Sequence, residues 1–150
     1  MPGLLVIAHA PLASALRAVA LHVYPECEAT LAVLDVPADL PIEDVEARAA
    51  ALLARMGTDE ALILTDVFGA TPCNVAQRLA DGVRVKVVTG VSVPMLWRSL
   101  CYASEPLDRL VARALAGAAQ GAMQVSPSRP QNQARKMPDS DAKEQRHDQQ

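Results

Sequence analysis

A short apolar run that ends in an acid and a glycine turn constrains the fold of this chain more than any other stretch. Residues Ala61–Asn74 read ALILTDVFGATPCN. The run Ala61–Leu64 is too short for a free-standing helix and is rich in strand formers, which is typical of a buried parallel strand. Thr71 and Pro72 then predict a helix start, with Thr71 as N-cap and Pro72 at the first helical position. The stretch therefore predicts that Asp66 lies at the carboxyl end of a buried strand, next to a helix N-terminus.

Strands and helices alternate along the rest of the apolar part of the chain. Strands are predicted at Leu4–Ala8, Thr30–Val36, Leu62–Asp66 and Val83–Thr89. Helices are predicted from Ala10-Pro11 to about Tyr24, over Ile42–Met56, from Pro72 to about Ala80, from Met95 to about Ala103 and from Pro106 to about Gln120. This alternation indicates parallel βαβ units with right-handed crossovers, and so an α/β fold with a doubly wound parallel sheet of about four strands. A short final strand over Ala122–Val125 is compatible with the pattern.

The composition changes sharply after Val125, which predicts one domain over residues 1–125. Residues 126–150 are rich in Pro, Gln, Ser, Asp, Lys and Arg and almost devoid of apolar side chains. Such a segment buries too little surface to offset its ordering entropy, so it is predicted to be a disordered polar tail. The apolar start Met1–Ile7 lacks a basic n-region and is far too short to span a membrane. A cytoplasmic protein without direct membrane insertion is therefore expected.

The charge and the motif inventory argue against several classes of function. The net charge is −3, aromatic residues make up 3% of the chain, and no basic face is concentrated in the apolar part, so nucleic-acid binding is not expected. Neither a P-loop nor a GxGxxG fingerprint is present, which counts against nucleotide binding. Cys27, Cys73 and Cys101 have no CxxC spacing. They predict a reduced intracellular protein with buried thiols, and neither a metal site nor a cofactor is expected.

Three predicted strand ends converge at one edge of the sheet, and they carry His9, Asp66 and Gly90. An imidazole with a carboxylate at one ring nitrogen has a fixed tautomer, and its opposite nitrogen becomes a directed nucleophile. The turn Gly69–Thr71 would supply N–H groups, a hydroxyl and a helix N-terminus for phosphoryl oxygens. The pattern predicts phosphoryl transfer onto His9, and a purely structural histidine remains the alternative.

Four further side chains that could carry chemistry are predicted to be structural instead. They are His22 on a helix surface, Asp35 as a loop cap, Cys73 as a packing residue in the first turn of a helix, and Trp97 in the core between helix and sheet.

Three segments together carry a family resemblance. LLVIAHAPLASAL, ILTDVFGATPCNVAQRLA and VVTGVSVPML, in this order, resemble the mannose-type enzyme IIA of the bacterial phosphotransferase system, over most of residues 3–124. The resemblance implies a flavodoxin-like parallel sheet in a homodimer. In some members a C-terminal strand is exchanged between subunits, which would suit Gly121–Val125.

The resemblance also implies a set of roles and partners. His9 would be phosphorylated on a ring nitrogen by the phosphocarrier protein HPr, and Asp66 would orient and polarise that ring. Gly69, Ala70 and Thr71 would bind the phosphoryl group, which would then pass to a IIB protein or domain. The chain would serve sugar uptake or a regulatory signal, and regulation is favoured slightly because nothing in the sequence binds sugar by itself.

The sequence departs from the family pattern at four positions. Ala10 and Ala70 stand where the family has Gly, Thr71 stands in place of Ser, and Ser92 in place of Asn. We expect each alanine to narrow the approach of a phosphoryl group or partner, and Ala70 to lose glycine's freedom at positive φ. These departures leave open a second hypothesis, a non-catalytic interaction or sensor domain on the same fold.

Overall fold

The structure, a computed structural model, describes residues 1–128. It contains a parallel sheet of β1 (Gly3–His9), β2 (Leu31–Val36), β3 (Ala61–Thr65) and β4 (Val85–Val88), in the order β2-β1-β3-β4. The helices are α1 (Leu12–Val23), α2 (Ile42–Met56), α3 (Thr71–Leu79), α4 (Val93–Cys101) and α5 (Leu107–Gly121), with a 3₁₀ turn over Pro25–Ala29. The predicted doubly wound, flavodoxin-like parallel sheet is confirmed.

The alternation of side chains along β1 explains the two apolar layers. Leu4, Val6 and Ala8 pack on one face with residues of α1, α4 and α5. Leu5 and Ile7 pack on the other face with residues of α2 and α3. Successive strand residues point to opposite faces, so a strand that is buried on both faces must be apolar throughout. The two central strands, β1 and β3, therefore hold the residues that follow them in fixed positions.

Helices α4 and α5 approach each other most closely at two glycines of α5. A Cβ on Gly117 would lie 2.8 Å from Cβ of Arg98 and 3.0 Å from the carbonyl oxygen of Pro94. A Cβ on Gly121 would lie 2.4 Å from the Pro94 ring. The absence of side chains at these positions allows α5 to return along α4 and to end at the carboxyl edge of the sheet.

Strand β4 begins at Val85, two residues later than predicted, because Asp81 binds the chain before it. Asp81 Oδ1 accepts the N–H groups of Val83, Arg84 and Val85 at 2.7–2.9 Å. The N–H groups of Val85, Val83 and Arg84 lower the pKa of Asp81 to about 2. Residues 83–84 thus form a capped turn instead of the first residues of the strand.

Two helix starts also differ from the prediction. The N-cap of α3 is Ala70, with extended backbone and no side-chain cap, and Thr71 is already the first helical residue, so the predicted Thr71 cap is wrong by one position. Helix α4 begins at Val93, because the Ser92 hydroxyl accepts the Met95 N–H at 3.2 Å. By contrast, Gly57 ends α2 at φ +66°, as its glycine indicated.

The chain leaves α5 without forming another element. Residues 122–128 are exposed and form no helix or strand within this chain. The short final strand over Ala122–Val125 is therefore not part of the single-chain sheet, and its exchange with a second chain stays a prediction. The tail prediction for residues 126–150 lies outside the described residues from 129 onward. None of the described helices is long and apolar enough to cross a bilayer.

We expect Gly117→Ala to lower the free energy of unfolding by about 1–3 kcal/mol, because the new methyl group must push α4 away from α5. This loss outweighs the roughly 1 kcal/mol that alanine adds through its helix propensity. Urea unfolding followed by circular dichroism measures the difference. Ala119→Gly, at an exposed position of the same helix, is the matched control for propensity alone. A Gly117→Ala protein as stable as the native one would show that the two helices separate at no cost.

Candidate active site

His9 and Asp66 lie side by side because two neighbouring parallel strands end there. Strand β1 ends at His9, and Ile7 is paired with Thr65, the last residue of β3. Asp66 is therefore the first residue beyond the β3 ladders. In parallel sheets, the residues after the strands gather at the carboxyl edge, which is the usual place for a ligand or reaction site.

The Asp66 carboxylate is held by three contacts. Oδ2 accepts the main-chain N–H of His9 at 2.9 Å and lies 2.7 Å from Nδ1 of the same residue. Oδ1 accepts the N–H of Val67 at 2.8 Å. The Asp66 side chain is 13% exposed and that of His9 is 50% exposed. The carboxylate is thus enclosed, while the far side of the imidazole faces solvent.

Burial alone would raise the pKa of Asp66. The hydrogen bonds from the His9 main chain and ring and from the Val67 N–H outweigh burial, so the pKa lies below its usual value of 3.8. An ionised carboxylate can only accept hydrogen bonds, so Nδ1 of His9 must carry a proton and donate it. In the neutral ring the lone pair is then on Nε2, at the half-exposed side. In this tautomer Nε2 is the ring nitrogen that could act as a nucleophile.

The loop after β4 forms hydrogen bonds with the main chain at Asp66 and Thr65. The Gly90 N–H donates to the main-chain carbonyl of Asp66 at 3.1 Å, and the Val91 N–H donates to that of Thr65 at 2.9 Å. The predicted convergence of His9, Asp66 and Gly90 is confirmed by these contacts. The link from Gly90 to the main chain of Asp66 is a feature that the sequence did not indicate.

An anion could approach the turn that follows Asp66. Gly69 has φ +89°, and α3 starts at Thr71 with Pro72 in its first turn. The N–H groups of Thr71 and Cys73 have no carbonyl partner within the described residues, as expected for the first turn of a helix. Ala70 has φ −98°, so the loss of glycine's freedom at positive φ causes no strain at this position. The one left-handed residue of this turn is Gly69, where the sequence does have glycine.

Three of the side chains predicted to be structural have surroundings that fit that prediction. Asp35 Oδ1 accepts the Ser14 N–H in the first turn of α1 at 3.0 Å, which is a capping contact. Cys73 is 1% exposed and packs in the interior. His22 is exposed in the last turn of α1.

Trp97 and Cys101 differ from their predicted environments. Met95 and Leu96 are core residues, but Trp97 is half-buried and belongs to neither apolar cluster. Its indole N–H is buried without a hydrogen-bond partner among the described residues. Cys101 is exposed, so only Cys27 and Cys73 fit the prediction of buried thiols. Helical spacing places both residues on the side of α4 opposite its buried residues, Met95, Leu96 and Ser99, so periodicity indicated this exposure and the core prediction for Trp97 overlooked it.

The surface beside Asp66 is apolar and carries no cation nearby in sequence. Val67 is 51% exposed and Phe68 is 73% exposed, and Leu12 at the start of α1 is 36% exposed. The segments at the ends of the four strands together contain acids but neither Lys nor Arg. These segments are residues 9–16, 35–47, 66–77 and 89–97. Apolar residues in a turn where polar ones are expected were the signal for this surface, and the sequence prediction overlooked it. Within residues 1–128, no group of three His, Cys, Asp or Glu side chains could hold a metal ion.

A family model described as PTS system fructose IIA component, EIIA-man, matches residues 3–115. The chain belongs to this family. The match covers all three motifs and both members of the His9–Asp66 pair. It confirms the predicted resemblance. Among curated protein sequences, none matches this chain.

Solved structures of the same fold support the family assignment. The mannose/sorbose-specific IIA subunit of the phosphotransferase system from Enterococcus faecalis is 26% identical, with a TM-score of 0.77 over 86% of this chain and 98% of that one. The phosphotransferase component EIIA from Streptococcus agalactiae is 22% identical, with a TM-score of 0.75 over 83% and 97%. A sigma-54 interaction domain protein from Enterococcus faecalis has a TM-score of 0.67 at 16% identity over 80% and 92%, which shows likeness of fold alone.

We expect Asp66→Asn to lower the free energy of unfolding near pH 7 by about 1–3 kcal/mol, because a neutral amide accepts these hydrogen bonds less strongly. The folded-state pKa of Asp66 is lowered, so its stabilisation is present above its unfolded pKa, near 3.8, and is lost as the pH falls through the lower folded pKa. The stability difference between native protein and variant should therefore shrink in acid. Urea unfolding at a series of pH values measures it. Asp39→Asn, at an exposed acid of the same edge, is the control. A difference that stays constant down to about pH 2 would contradict an ionised Asp66 as the source.

Proposed function

We propose that this chain is a IIA phosphocarrier, which accepts a phosphoryl group from HPr on Nε2 of His9 and passes it to a IIB protein. The observation that carries the proposal is the contact between Nδ1 of His9 and the Asp66 carboxylate, which in the neutral ring places the lone pair on Nε2 of a half-exposed side chain. Membership of the phosphotransferase IIA family supports the same chemistry. Because HPr and IIB proteins work in the cytoplasm, we propose that compartment for this chain.

The transfer needs no other reactant. The Nε2 lone pair of His9 attacks the phosphorus of phosphorylated HPr, the P–N bond of the donor breaks, and its electron pair returns to the donor ring. The Nδ1 proton stays on His9 and donates to Asp66, whose negative charge offsets the positive charge that develops on the ring. Onward transfer to IIB is the same step in reverse, with His9 as the leaving group.

Gly69, Ala70 and Thr71 are proposed to hold the phosphoryl oxygens. The N–H groups of the first turn of α3 lack internal partners, and a helix N-terminus favours an anion. The Thr71 hydroxyl adds a donor, and Ala70 adopts its backbone conformation at negative φ without strain. The methyl groups of Ala10 and Ala70 remain the departures in favour of a non-catalytic sensor domain.

The surroundings of His9 indicate how the protein partners dock. Val67, Phe68 and Leu12 offer apolar contact area, and the acids of the same edge are not balanced by Lys or Arg in the segments that follow the strands. Such a surface fits partners with an apolar centre and a cationic rim. HPr and a IIB protein would use this surface in turn.

We also propose that the chain is a homodimer that exchanges residues 122–125. Strand β4 is the edge of the sheet, and an open groove beside it is lined by Phe68, Val87, Val111 and Leu115. Met123 and Val125 are 71% and 80% exposed in the single chain. A strand from a second copy would cover the unpaired edge and bury these side chains.

Incubation with phosphoenolpyruvate, enzyme I and HPr tests the transfer directly. We expect intact-mass measurement to show an acid-labile gain of one phosphoryl group per chain, because His9 is the histidine whose ring is oriented by a carboxylate and half-exposed. His9→Ala should gain none, and His22→Ala, on the surface of α1, should behave like the native chain. No gain by the native chain, with a positive reaction of a known IIA protein in the same tube, would favour the non-catalytic sensor domain.

Two truncations test the dimer and the tail separately. A chain that ends at Val125 should remain dimeric. It should also accept a phosphoryl group as the full chain does, because the proposed phosphotransfer domain spans residues 1–125. A chain that ends at Gly121 should be monomeric, because it lacks the exchanged segment. Light scattering during size-exclusion chromatography gives the mass of each. A monomeric full-length chain would exclude the exchange, and loss of phosphate acceptance on removal of residues 126–150 would give the tail a role.

A further inference from the structure

We propose that Gly90 is a positioning residue for the phosphoacceptor site, because its N–H holds the main chain of Asp66 where the carboxylate meets His9. This inference rests on the proposed function for its effect on transfer, but its effect on the geometry of the His9 ring is independent of that function. The observation is the 3.1 Å hydrogen bond from the Gly90 N–H to the Asp66 carbonyl.

The position of the Asp66 main chain depends on this bond because the strand pairing of the sheet ends before Asp66. The last pair between β1 and β3 is Ile7 with Thr65, and the last between β3 and β4 is Leu64 with Val88. Beyond Asp66 the chain is exposed at Val67, Phe68 and Gly69. The main-chain carbonyl of Asp66 is therefore fixed by Gly90, while its carboxylate is fixed by His9 and Val67.

The loop that carries Gly90 is itself anchored at both ends. Before it, Val88 is buried in the sheet. After it, the Val91 N–H binds the Thr65 carbonyl, and the Ser92 hydroxyl caps α4. Between these anchors Gly90 adopts φ +82°, which aims its N–H at Asp66. A residue with a Cβ disfavours that backbone conformation, so the loop would relax by turning the N–H away.

Gly82 provides a closely matched control. It has φ +78°, and no heavy atom lies within 4 Å of a Cβ built on either Gly82 or Gly90. Both glycines are exposed. Gly90→Ala and Gly82→Ala therefore introduce the same kind of backbone strain without a steric clash. Only Gly90 is bonded to Asp66, since the Gly82 N–H donates to the Val85 carbonyl.

The first readout is the tautomer of His9, measured by ¹⁵N chemical shifts of Nδ1 and Nε2 in histidine-labelled protein. The three histidines are assigned with a His9→Ala sample. We expect Gly82→Ala to retain the native Nδ1-protonated signature and Gly90→Ala to lose part of it to the Nε2-protonated form. The midpoint temperature of thermal unfolding, Tm, should fall by a similar amount in both variants, about 2–8 °C. Equal tautomer populations in the two variants would overturn the proposal.

The second readout is the single-turnover rate of phosphoryl transfer from phosphorylated HPr. We expect a loss of about tenfold for Gly90→Ala and less than about twofold for Gly82→Ala, because a small misplacement of an orienting group is costly. Gly90→Asn should be closer to the native rate than Gly90→Ala, since asparagine tolerates positive φ better. If Gly90→Ala is too unstable to study, Gly90→Asn is compared with Gly82→Asn; the expected loss is smaller but still larger for Gly90→Asn, and equal rates in the two variants would overturn the proposal.

A double-mutant cycle with Asp66→Asn separates positioning from a general structural effect. If Gly90 acts through the carboxylate, adding Gly90→Ala to the Asp66→Asn variant should lower the transfer rate by less than about twofold. A full tenfold loss in that background would overturn the proposal. If the native chain accepts no phosphate at all, the proposed function fails, and the tautomer comparison alone still decides the role of Gly90.

Discussion

The contact between the Asp66 carboxylate and His9 is the interaction on which the chemistry of this edge depends. The same oxygen, Oδ2, binds both the main-chain N–H and the ring Nδ1 of His9. The main-chain bond fixes the carboxylate relative to the strand, and the ring bond fixes the imidazole relative to the carboxylate. A flexible side chain is thereby held in one orientation, which would lower the entropic cost of the proposed transfer.

The sheet makes this contact possible because it places two residues 57 positions apart on adjacent strands. Strands β1 and β3 are buried on both faces, so their register is fixed by packing in two separate apolar layers. The loops at the carboxyl edge are then linked to each other by single main-chain bonds, such as Ala10 to Val36 and Gly90 to Asp66. The positions of the reactive groups are therefore set by the core, while the surface around them is open to change.

The sequence predicted the doubly wound parallel sheet and the His9–Asp66 pair because both follow from strong local signals. Buried parallel strands read as unbroken apolar runs, and the residues after them must meet at one edge. The start of β4 and the cap of α3 were not predictable in the same way, because they depend on which hydrogen bonds Asp81 and Ala70 make in three dimensions. The exposure of Phe68 and the bond from Gly90 depend on the packing of whole elements. Local periodicity carries no information about these two features.

The residues that follow the four strands limit which groups could hold an anion at this edge. Nothing in the segments after the four strands supplies a Lys or Arg to the anion, so the donors available to it are main-chain N–H groups and a hydroxyl. Main-chain N–H groups and a hydroxyl are neutral donors, so they would hold a phosphoryl group by hydrogen bonds without adding a fixed positive charge. The Asp66 carboxylate, bonded to Nδ1 of His9, would then be the charged group closest to the ring. The proposed role as an intermediate carrier is compatible with this arrangement, because the group must be released as readily as it is accepted.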